Sequence, residues 1–245
     1  MRLAVVIPVL DDAAALERCL PEAMAVGDEV CVVDGGSRDG SIRLAEAAGA
    51  SVVRSPAGRG HQLNRGAAAT RCDVILFLHA DTRLPAVARE AIEEAVAGGA
   101  VGGGFEMRFD DPRAIFSFGS RFVSLRTRWL HIPLGDQAQF LTRAAFEELG
   151  GFAEWPILED LDLIRRLKRL GRIGIVRHPV VTSARRFSRQ GVARTVARNW
   201  WIWLRYRLGA RPETLAHLYP PPSGRRPATG APGTVARKEE GPAPR

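Results

Sequence analysis

The most constraining feature of the sequence is a series of short apolar runs, rich in β-branched residues, that end in small or acidic residues. Four of them predict strands at 3–8, 29–34, 50–54 and 73–78. Stretches with helical periodicity separate them at 13–24, 40–48 and 62–70. Strands that are apolar on both faces and alternate with helices are typical of a parallel sheet covered on each side. We therefore predict an α/β fold with a mainly parallel sheet.

The order of predicted elements becomes less regular after residue 85. We predict helices near 86–97, 113–126, 143–149, 160–170 and 188–208, and strands near 100–107, 137–142 and 179–182. Residues 1–219 are therefore interpreted as one domain with halves at about 1–110 and 111–219. The tail at 220–245 holds seven of the sixteen prolines and four glycines, so we expect it to be disordered.

Composition excludes several classes of protein. The 245 residues are 46% hydrophobic and 25% charged, which is unlike a disordered or fibrous chain. Three widely spaced cysteines exclude a disulfide scaffold and a cysteine zinc site, and they suit a cytoplasmic protein. The apolar run at 3–10 is shorter than the roughly 20 residues of a membrane span. It ends in two aspartates, which favours a buried strand over a signal peptide.

Charge is distributed unevenly along the chain. Residues 1–162 carry a net charge of −8, whereas residues 163–211 carry +14 and contain no acidic residue. A basic segment without acids predicts an anionic partner such as a phosphate, a lipid headgroup or a nucleic acid. A solvated basic face of an arginine-rich protein is the alternative.

Polar residues follow the predicted strands where ligands collect in open parallel sheets. Pro8 ends the first strand, and Asp34 ends the second before two glycines that allow a tight turn. The Asp34 carboxylate either accepts a hydrogen bond from a ligand or caps the turn. Asp81 follows the strand at 73–78 and either holds a divalent cation or caps the next helix.

Several motifs occur together in a recognisable order. They are Val-Ile-Pro at 6–8, Val-Val-Asp-Gly-Gly-Ser-Arg-Asp-Gly-Ser at 32–41, Gly-Arg-Gly-His-Gln-Leu-Asn-Arg-Gly at 58–66, Leu-Phe-Leu-His-Ala-Asp at 76–81, Gly-Asp-Gln at 135–137 and Leu-Glu-Asp at 158–160. Over about residues 3–187 the chain resembles the inverting family 2 glycosyltransferases of the GT-A fold. It is similar in particular to a short bacterial branch with His-Ala-Asp in place of Asp-x-Asp.

The resemblance implies a donor side in the first half of the chain. Pro8 and Asp34 would line the base and ribose of a nucleotide-sugar donor, which we expect to be UDP-linked. Arg59 and Asn64 would lie near the same pocket. Asp81 would bind Mg²⁺ or Mn²⁺ and, through it, the donor diphosphate.

The resemblance also implies an acceptor side. Asp160 would be the general base that deprotonates an acceptor hydroxyl, and Glu159 would bind the acceptor or begin a helix. Spacing alone leaves open which of the two is the base. Gly135, Asp136 and Gln137 would shape the acceptor side. A cation stabilising the leaving diphosphate and one carboxylate on the opposite face of the sugar suffice for direct inversion.

Two departures from the family pattern affect the expected function. His79 replaces the first aspartate of the triplet, and we interpret it as structural or near the ribose rather than as a metal ligand. The Gln-x-x-Arg-Trp motif of processive polysaccharide synthases is absent, because Gln190, Arg194 and Trp200 are wrongly spaced. We therefore expect non-processive transfer.

The basic segment has two parts. Arg185 and Arg186 follow the strand at 179–182 and are expected to contact the diphosphate, since Arg suits bidentate phosphate binding. In the helix at 188–208 one side is expected to be apolar (Val192, Val196, Trp200, Trp203, Leu204) and another basic (Arg194, Arg198, Arg205). Such a helix either contacts an anionic membrane at the cytosolic face, with a lipid-linked acceptor, or packs on the core.

Two other function classes remain as alternatives. A sugar-nucleotidyltransferase would carry a glycine-rich basic loop after the first strand, where this chain has Pro-Val-Leu-Asp-Asp at 8–12. A non-enzymatic protein could use the basic segment for nucleic acid, with tryptophans stacking on bases. The chain contains no familiar nucleic-acid module, so we expect no nucleic-acid partner.

Overall fold

Eight strands form one mixed sheet within residues 1–219, the part of the chain that the computed structural model describes. The strands are β1 (Leu3–Val9), β2 (Glu29–Asp34), β3 (Ser51–Arg54), β4 (Val74–Phe77), β5 (Thr82–Arg83), β6 (Ala100–Phe109), β7 (Gln139–Thr142) and β8 (Arg172–Thr182). Their order is β3-β2-β1-β4-β7-β6-β8-β5. The predicted α/β fold with a mainly parallel sheet is confirmed. The predicted disordered tail at 220–245 lies outside the described residues.

Helices cover both faces of this sheet. They are α1 (Ala13–Val26), α2 (Ser41–Ala47), α3 (Arg59–Ala69), α4 (Ala88–Ala97), α5 (Ala114–Leu130), α6 (Arg143–Glu148), α7 (Glu159–Leu170), α8 (Arg185–Gln190), α9 (Val192–Arg207) and α10 (Pro212–Leu215). One core cluster joins β1 to α1 and α4, and a second joins β1 and β2 to α3, α6 and α7. Alternation along β1 explains the division, because Val5 and Ile7 face the first cluster and Val6 faces the second.

A close approach fixes α3 against the sheet. A Cβ atom on Gly66 would lie 2.3 Å from a methyl of Val6 and 2.7 Å from a methyl of Val33. Glycine is therefore required for this packing distance. The start of α3 is held at the end of β1 and β2 as a result.

The strand directions bring the loops of both halves to one edge of the sheet. β1, β2 and β4 are parallel, so their carboxyl ends meet there. β7 runs antiparallel to β4, and its beginning therefore lies at the same edge. β6 is antiparallel to β7 and parallel to β8, so both of these strands also end there. β3 is parallel to β2 and also ends there, and β5 is antiparallel to β8 and begins there, so loops that follow six strands and precede two converge at this edge.

Three predicted elements differ from the structure. Residues 135–137 form a 3₁₀ turn before β7, so the strand predicted at 137–142 begins at Gln139. The strand predicted at 179–182 is the end of β8, which already begins at Arg172; Arg177, His178 and Pro179 interrupt the apolar residues of this strand. The helix predicted at 188–208 is divided into α8 and α9 at Gly191, which has a φ of 83°. Glycine favours such a left-handed conformation.

The three cysteines, Cys19, Cys31 and Cys72, are buried free thiols. Burial raises the pKa of Cys19 to about 12 and that of Cys72 to about 11, so both thiols stay protonated and unreactive at neutral pH. Within residues 1–219, none of the helices combines the length and the apolar character that crossing a bilayer requires.

Candidate active site

Asp34 organises the turn that follows β2. It is buried, and its carboxylate accepts hydrogen bonds from the amides of Gly36 (3.0 Å) and Ser37 (2.9 Å). In this structure Asp34 therefore caps the turn. Pro8 lies one strand away, beyond the last β1–β4 pair at Val6, so its missing amide costs no hydrogen bond in that ladder. Contact of either residue with a nucleotide remains a prediction.

The loops after β1 and β2 are joined by side chains. The Asp11 amide donates to Oγ of Ser37 (3.0 Å), and the Arg38 amide donates to Oδ1 of Asp11 (2.7 Å). Asp39 accepts from the amide of Ala13 at the start of α1 (2.9 Å). These contacts make the two loops one surface at the shared edge of the sheet.

The start of α3 supplies two polar side chains to the same region, with different roles. Nε2 of Gln62 donates to the carbonyls of Val9 (3.0 Å) and Val33 (2.8 Å) and so joins the ends of β1 and β2. Sequence reasoning assigned no role to Gln62, although it belongs to the motif at 58–66. Asn64 exchanges two hydrogen bonds with the backbone of Phe152 (2.9 and 2.8 Å). The Asn64 amide therefore holds the loop before α7, and its expected position near the nucleotide pocket remains a prediction.

Asp81 lies between an acidic and a basic neighbour. Burial raises the pKa of its carboxyl group, and the nearby charge of Asp12 raises it further, while Arg185 and Arg59 act in the opposite direction. Arg185 makes a bidentate ion pair with Asp12 (3.0 and 2.5 Å). The structure therefore brings Arg185 to the Asp81 side of the edge, where the sequence predicted a diphosphate contact.

Gly135, His79 and Asp160 meet at the centre of this edge. The Gly135 amide donates to Oδ2 of Asp160 (2.7 Å), and Oδ1 of Asp160 accepts from the Leu161 amide (2.7 Å). A Cβ atom on Gly135 would lie 2.9 Å from Nε2 of His79 and 3.1 Å from Oδ2 of Asp160. Burial lowers the pKa of His79 well below its usual value, and Arg59 and Arg186 lower it further. His79 is consequently a neutral imidazole beside the Asp160 carboxylate.

Glu159 and Asp160 have different surroundings although they are adjacent. Glu159 is buried and accepts a hydrogen bond from Nη1 of Arg59 (3.1 Å). Burial raises the pKa of Glu159 in spite of this arginine, and Asp160 raises it further. Glu159 thus holds Arg59 across the two halves of the site, and Asp160 is the more accessible carboxylate of the pair.

The turn at 135–137 is fixed from beneath by Gln137. Its Oε1 accepts from Arg126 (3.0 Å) and Thr127 (3.0 Å), and its Nε2 donates to the carbonyl of Phe105 (2.7 Å). Gln137 therefore shapes the turn from the core.

Burial raises the pKa of Asp136 and the Asp160 charge adds to this, while Arg126 lowers it. No sequence signal distinguished Arg126 from the other arginines.

Backbone conformations next to these residues are unusual. Ala138 (φ 47°) follows the turn, and Leu158 (φ 67°) precedes Glu159. Left-handed conformations are disfavoured for residues with a Cβ atom, especially a bulky one, and persist where surrounding structure imposes them. The turn at 135–137 and the start of α7, which meet at Asp160, are therefore each next to a strained residue.

Arg186 lies near His79 and Asp136, whereas Arg185 lies near Asp81. Its Nη1 donates to the hydroxyl of Tyr219, and its charge lowers the pKa values of His79 and Asp136. Arg186 is therefore placed among the site residues, and Tyr219 is an additional residue that sequence reasoning did not identify.

The single carboxylate of Asp81 fits a divalent cation that is also coordinated by a bound ligand. Among residues 1–219, no cluster of three His, Cys, Asp or Glu side chains could enclose an ion. Mg²⁺ commonly uses one or two protein carboxylates together with substrate phosphates and water. The partly buried Asp81, whose charge is disfavoured by burial and by Asp12, suits that mode of binding.

Comparisons with solved structures identify the architecture. TarS 1-349 from S. aureus is 17% identical, with a TM-score of 0.57 over 75% of this chain and 60% of that chain. The mannosyltransferase PcManGT from Pyrobaculum calidifontis is 19% identical, with a TM-score of 0.59 over 89% and 68%. Glucosyl-3-phosphoglycerate synthase from Mycobacterium tuberculosis is 22% identical, with a TM-score of 0.59 over 86% and 79%. At these identities the likeness shows a shared fold.

Sequence comparison supplies the family. No curated protein matches the chain. Residues 4–150, more than half of the chain, match the family profile of glycosyl transferase family 2. This stretch contains the site residues from β1 through the turn at 135–137. Because that match agrees with the fold and with the arrangement of the edge, the chain belongs to glycosyl transferase family 2.

Proposed function

We propose that the protein is an inverting, non-processive glycosyltransferase. It transfers a sugar from a nucleotide-sugar donor, UDP-linked, to an acceptor hydroxyl with the help of Mg²⁺ or Mn²⁺. The observation that carries this proposal is the Asp160 carboxylate, oriented by the Gly135 amide at the same sheet edge as Asp34 and Asp81. Family membership supports the reaction class.

Structures of the same fold support the donor class and the cation. TarS has been solved with UDP-GlcNAc. PcManGT has been solved with GDP-Man and Mn²⁺, and glucosyl-3-phosphoglycerate synthase with Mn²⁺ and UDP. In the present chain Asp81 would hold the ion together with the donor phosphates. When bound, the ion supplies positive charge that offsets the charge of the leaving diphosphate.

Asp160 is assigned the proton transfer. Its carboxylate accepts the proton of the acceptor hydroxyl while the acceptor oxygen bonds to the anomeric carbon. The bond from that carbon to the diphosphate breaks on the opposite face, and the electron pair leaves with the diphosphate. A single displacement of this kind inverts the anomeric configuration. The hydrogen bonds to Gly135 and Leu161 keep Asp160 oriented without protonating it.

The two halves of the chain divide these tasks. Residues 1–110 hold the donor through Asp34, Pro8 and Asp81, and residues 111–219 present the acceptor through the turn at 135–137 and Asp160. Arg59 links them through its ion pair with Glu159. The absence of the synthase motif supports transfer of one sugar per acceptor encounter.

We propose a cytoplasmic protein that binds an anionic membrane with the outer faces of α5 and α9. On α5 the buried side includes Ser120, Ser124 and Thr127, whereas Phe118 and Trp129 are 74% and 79% exposed. Large apolar side chains also face outward on α9: Val196, Trp200, Trp201, Trp203 and Leu204. Both helices therefore expose their apolar sides. This exposure supports membrane contact over the alternative in which the C-terminal helix packs its apolar side on the core.

The position and charge of the two helices support a lipid surface as the proposed partner. Both helices run from α8 towards α7: Phe116 of α5 packs near Phe187, and α9 follows α8 directly. At their other ends, Lys168 of α7 donates to the Leu130 carbonyl and Arg165 lies 5.7 Å from the Tyr206 ring. Neither residues 112–135, which include α5, nor residues 163–211, which include α9, contain an acidic residue. Their positive charge would complement an anionic surface.

A nucleotide-sugar screen tests the proposed activity. Purified protein is incubated with UDP- and GDP-sugars and Mn²⁺ or Mg²⁺, and released nucleoside diphosphate is measured. A UDP-sugar should be hydrolysed slowly in the absence of acceptor, and chelation of the cation should stop the release. Failure to bind or hydrolyse any donor would contradict the proposal.

A further inference from the structure

The inner face of α9 carries polar atoms that lack hydrogen-bond partners. Within residues 1–219, Oγ1 of Thr195, Nε of Arg198 and Oδ1 of Asn199 are buried and unpaired. Their spacing of three and four residues places them on one side of the helix. Thr195 is fully buried. Buried polar atoms are normally satisfied, so three on one helix face point to a polar ligand.

Two arginines and a tyrosine lie against this face. The guanidinium carbons of Arg186 and Arg198 are 5.0 and 5.6 Å from the centre of the Tyr219 ring. Arg186 also donates a hydrogen bond to the Tyr219 hydroxyl, and Arg198 donates to Oε1 of Gln190 (2.9 Å). Neither arginine forms an ion pair with a carboxylate in the described part of the chain. Within residues 1–219 the two guanidinium groups therefore share contacts with one tyrosine, and no carboxylate offsets their charge.

The arrangement corrects the sequence interpretation of Arg198. Helical periodicity grouped it with Arg194 and Arg205 on a solvated basic face. In the structure Arg198 is half-buried, whereas Arg194 and Arg205 are exposed. Its guanidinium therefore belongs to the interior of the site rather than to the surface that faces a membrane.

This cluster adjoins the acceptor side of the edge. The charge of Arg186 lowers the pKa values of His79 and Asp136, and Asp136 responds in turn to Asp160. On the donor side, the corresponding position beside Asp81 is taken by Arg185, which is paired with Asp12. Arg185 and Arg186 are adjacent in the chain but lie on opposite sides of the site.

We propose that Arg186, Arg198 and Thr195 form a binding site for a phosphate group, and that Tyr219 covers this site until the phosphate enters. Guanidinium groups bind phosphate oxygens bidentately, and the Thr195 hydroxyl can supply a further donor. Resting on the proposed function, we assign this phosphate to the acceptor substrate. A donor diphosphate offers the same chemistry and is the competing source.

The test is calorimetric titration of the full chain with inorganic phosphate. Wild type should bind phosphate, and Arg198→Gln and Arg186→Gln should each weaken binding about tenfold or more, because charge-assisted hydrogen bonds are lost. Arg189→Gln removes an exposed charge from α8 and serves as the matched control, with wild-type affinity expected. Tyr219→Phe should strengthen phosphate binding, since Arg186 loses its competing acceptor.

Thermal melts accompany each titration, and Arg198→Lys provides a second variant that retains the charge without the planar fork. Arg198→Lys should bind phosphate with intermediate affinity. Absence of phosphate binding by wild type overturns the site. Equal affinities for folded Arg198→Gln and Arg189→Gln also overturn it.

A second titration identifies the source of the phosphate. Phosphate is added to protein saturated with UDP and Mn²⁺. Unchanged phosphate affinity supports the acceptor assignment, whereas displacement of phosphate by UDP overturns that assignment and identifies the donor diphosphate. If phosphate binds but UDP does not, the proposed glycosyltransferase function fails and the anion site stands.

Discussion

The amide of Gly135 donates a 2.7 Å hydrogen bond to Oδ2 of Asp160, a residue 25 positions later in the chain. The same glycine leaves 2.9 Å between its missing Cβ position and Nε2 of His79. The proposed base and the first residue of the His-Ala-Asp segment are therefore both positioned by a residue without a side chain. Any added atom at this point must displace one of them.

Gly135→Ala should lower kcat strongly while leaving UDP affinity close to wild type. The new methyl group would displace His79 or Asp160, and neither displacement reaches the turn held by Asp34. Gly119→Ala is the matched control, since its Cβ would meet only an atom of Phe109 at 3.7 Å. A helical glycine replaced by alanine should gain about 0.5–1 kcal/mol of stability and keep full activity. Equal kcat values for the two variants would contradict the assignment.

Asp160→Asn should lower kcat by about a hundredfold to ten-thousandfold, the usual contribution of a general base. Nucleotide affinity should change little, because the carboxylate faces the acceptor side. Kinetics and UDP titration on the same preparation separate the two quantities. A large loss of UDP affinity would place Asp160 on the donor side.

Glu159→Gln should act differently from Asp160→Asn. It removes the charge that pairs with Arg59, so the melting temperature should fall and donor affinity should weaken together. Because the Arg59 side chain is 43% exposed, the loss of stability should be smaller than the about 3–5 kcal/mol of a fully buried pair. If Glu159→Gln abolishes kcat and Asp160→Asn does not, the two roles are exchanged.

Asp81→Asn should remove the activity that depends on Mn²⁺ or Mg²⁺. An amide cannot supply the negative charge that holds the cation with the donor phosphates. Asp73→Asn is the control at the opposite end of β4, where Asp73 accepts a hydrogen bond from the Arg2 amide (2.7 Å). It should retain the wild-type metal dependence. Near wild-type turnover by Asp81→Asn in saturating Mn²⁺ would exclude Asp81 as the metal ligand.

Two substitutions of Asp34 distinguish its capping role from direct nucleotide binding. Asp34→Ala removes the hydrogen bonds that the carboxylate accepts from the Gly36 and Ser37 amides and should cost about 1–3 kcal/mol of stability, at about 0.5–1.5 kcal/mol for each bond. Asp34→Asn retains one oxygen acceptor and should be more stable than Asp34→Ala. Weaker UDP binding by a stable Asp34→Asn variant would support direct contact. Wild-type UDP affinity in that variant would leave Asp34 as a turn cap.

Membrane binding should depend on the exposed arginines of α9. Wild type should float with anionic vesicles at low salt and less as salt rises. Arg194→Gln combined with Arg205→Gln should weaken binding about thirtyfold, at about 1 kcal/mol for each charge. Arg43→Gln combined with Arg71→Gln removes the same charge from exposed positions in the first half and should float as wild type does.

The apolar contribution is tested with Phe118→Ser and Trp129→Ser on α5. Both variants should float less well than wild type, because these side chains are exposed and apolar. If wild type remains at the bottom of the gradient and instead sediments as a dimer that these substitutions dissociate, the outer face of α5 binds a second copy of the chain.

The sequence by itself determined the strand pattern and the residues at the sheet edge. Continuous apolar runs identified β1, β2 and β4, because a strand buried on both faces needs them. The small and acidic residues that end these runs identified Asp34 and Asp81. The motifs carried enough information to name the family.

Only the tertiary structure decided which partner each polar side chain contacts. Asn64 binds the Phe152 backbone 88 positions away, and Arg59 binds Glu159 100 positions away. Such contacts depend on how strands are ordered in the sheet, which local periodicity does not contain. Helix orientation is decided in the same way. The sequence predicted a helix near 113–126, but only packing against β6 turned Ser120 and Thr127 inward and left Phe118 facing outward.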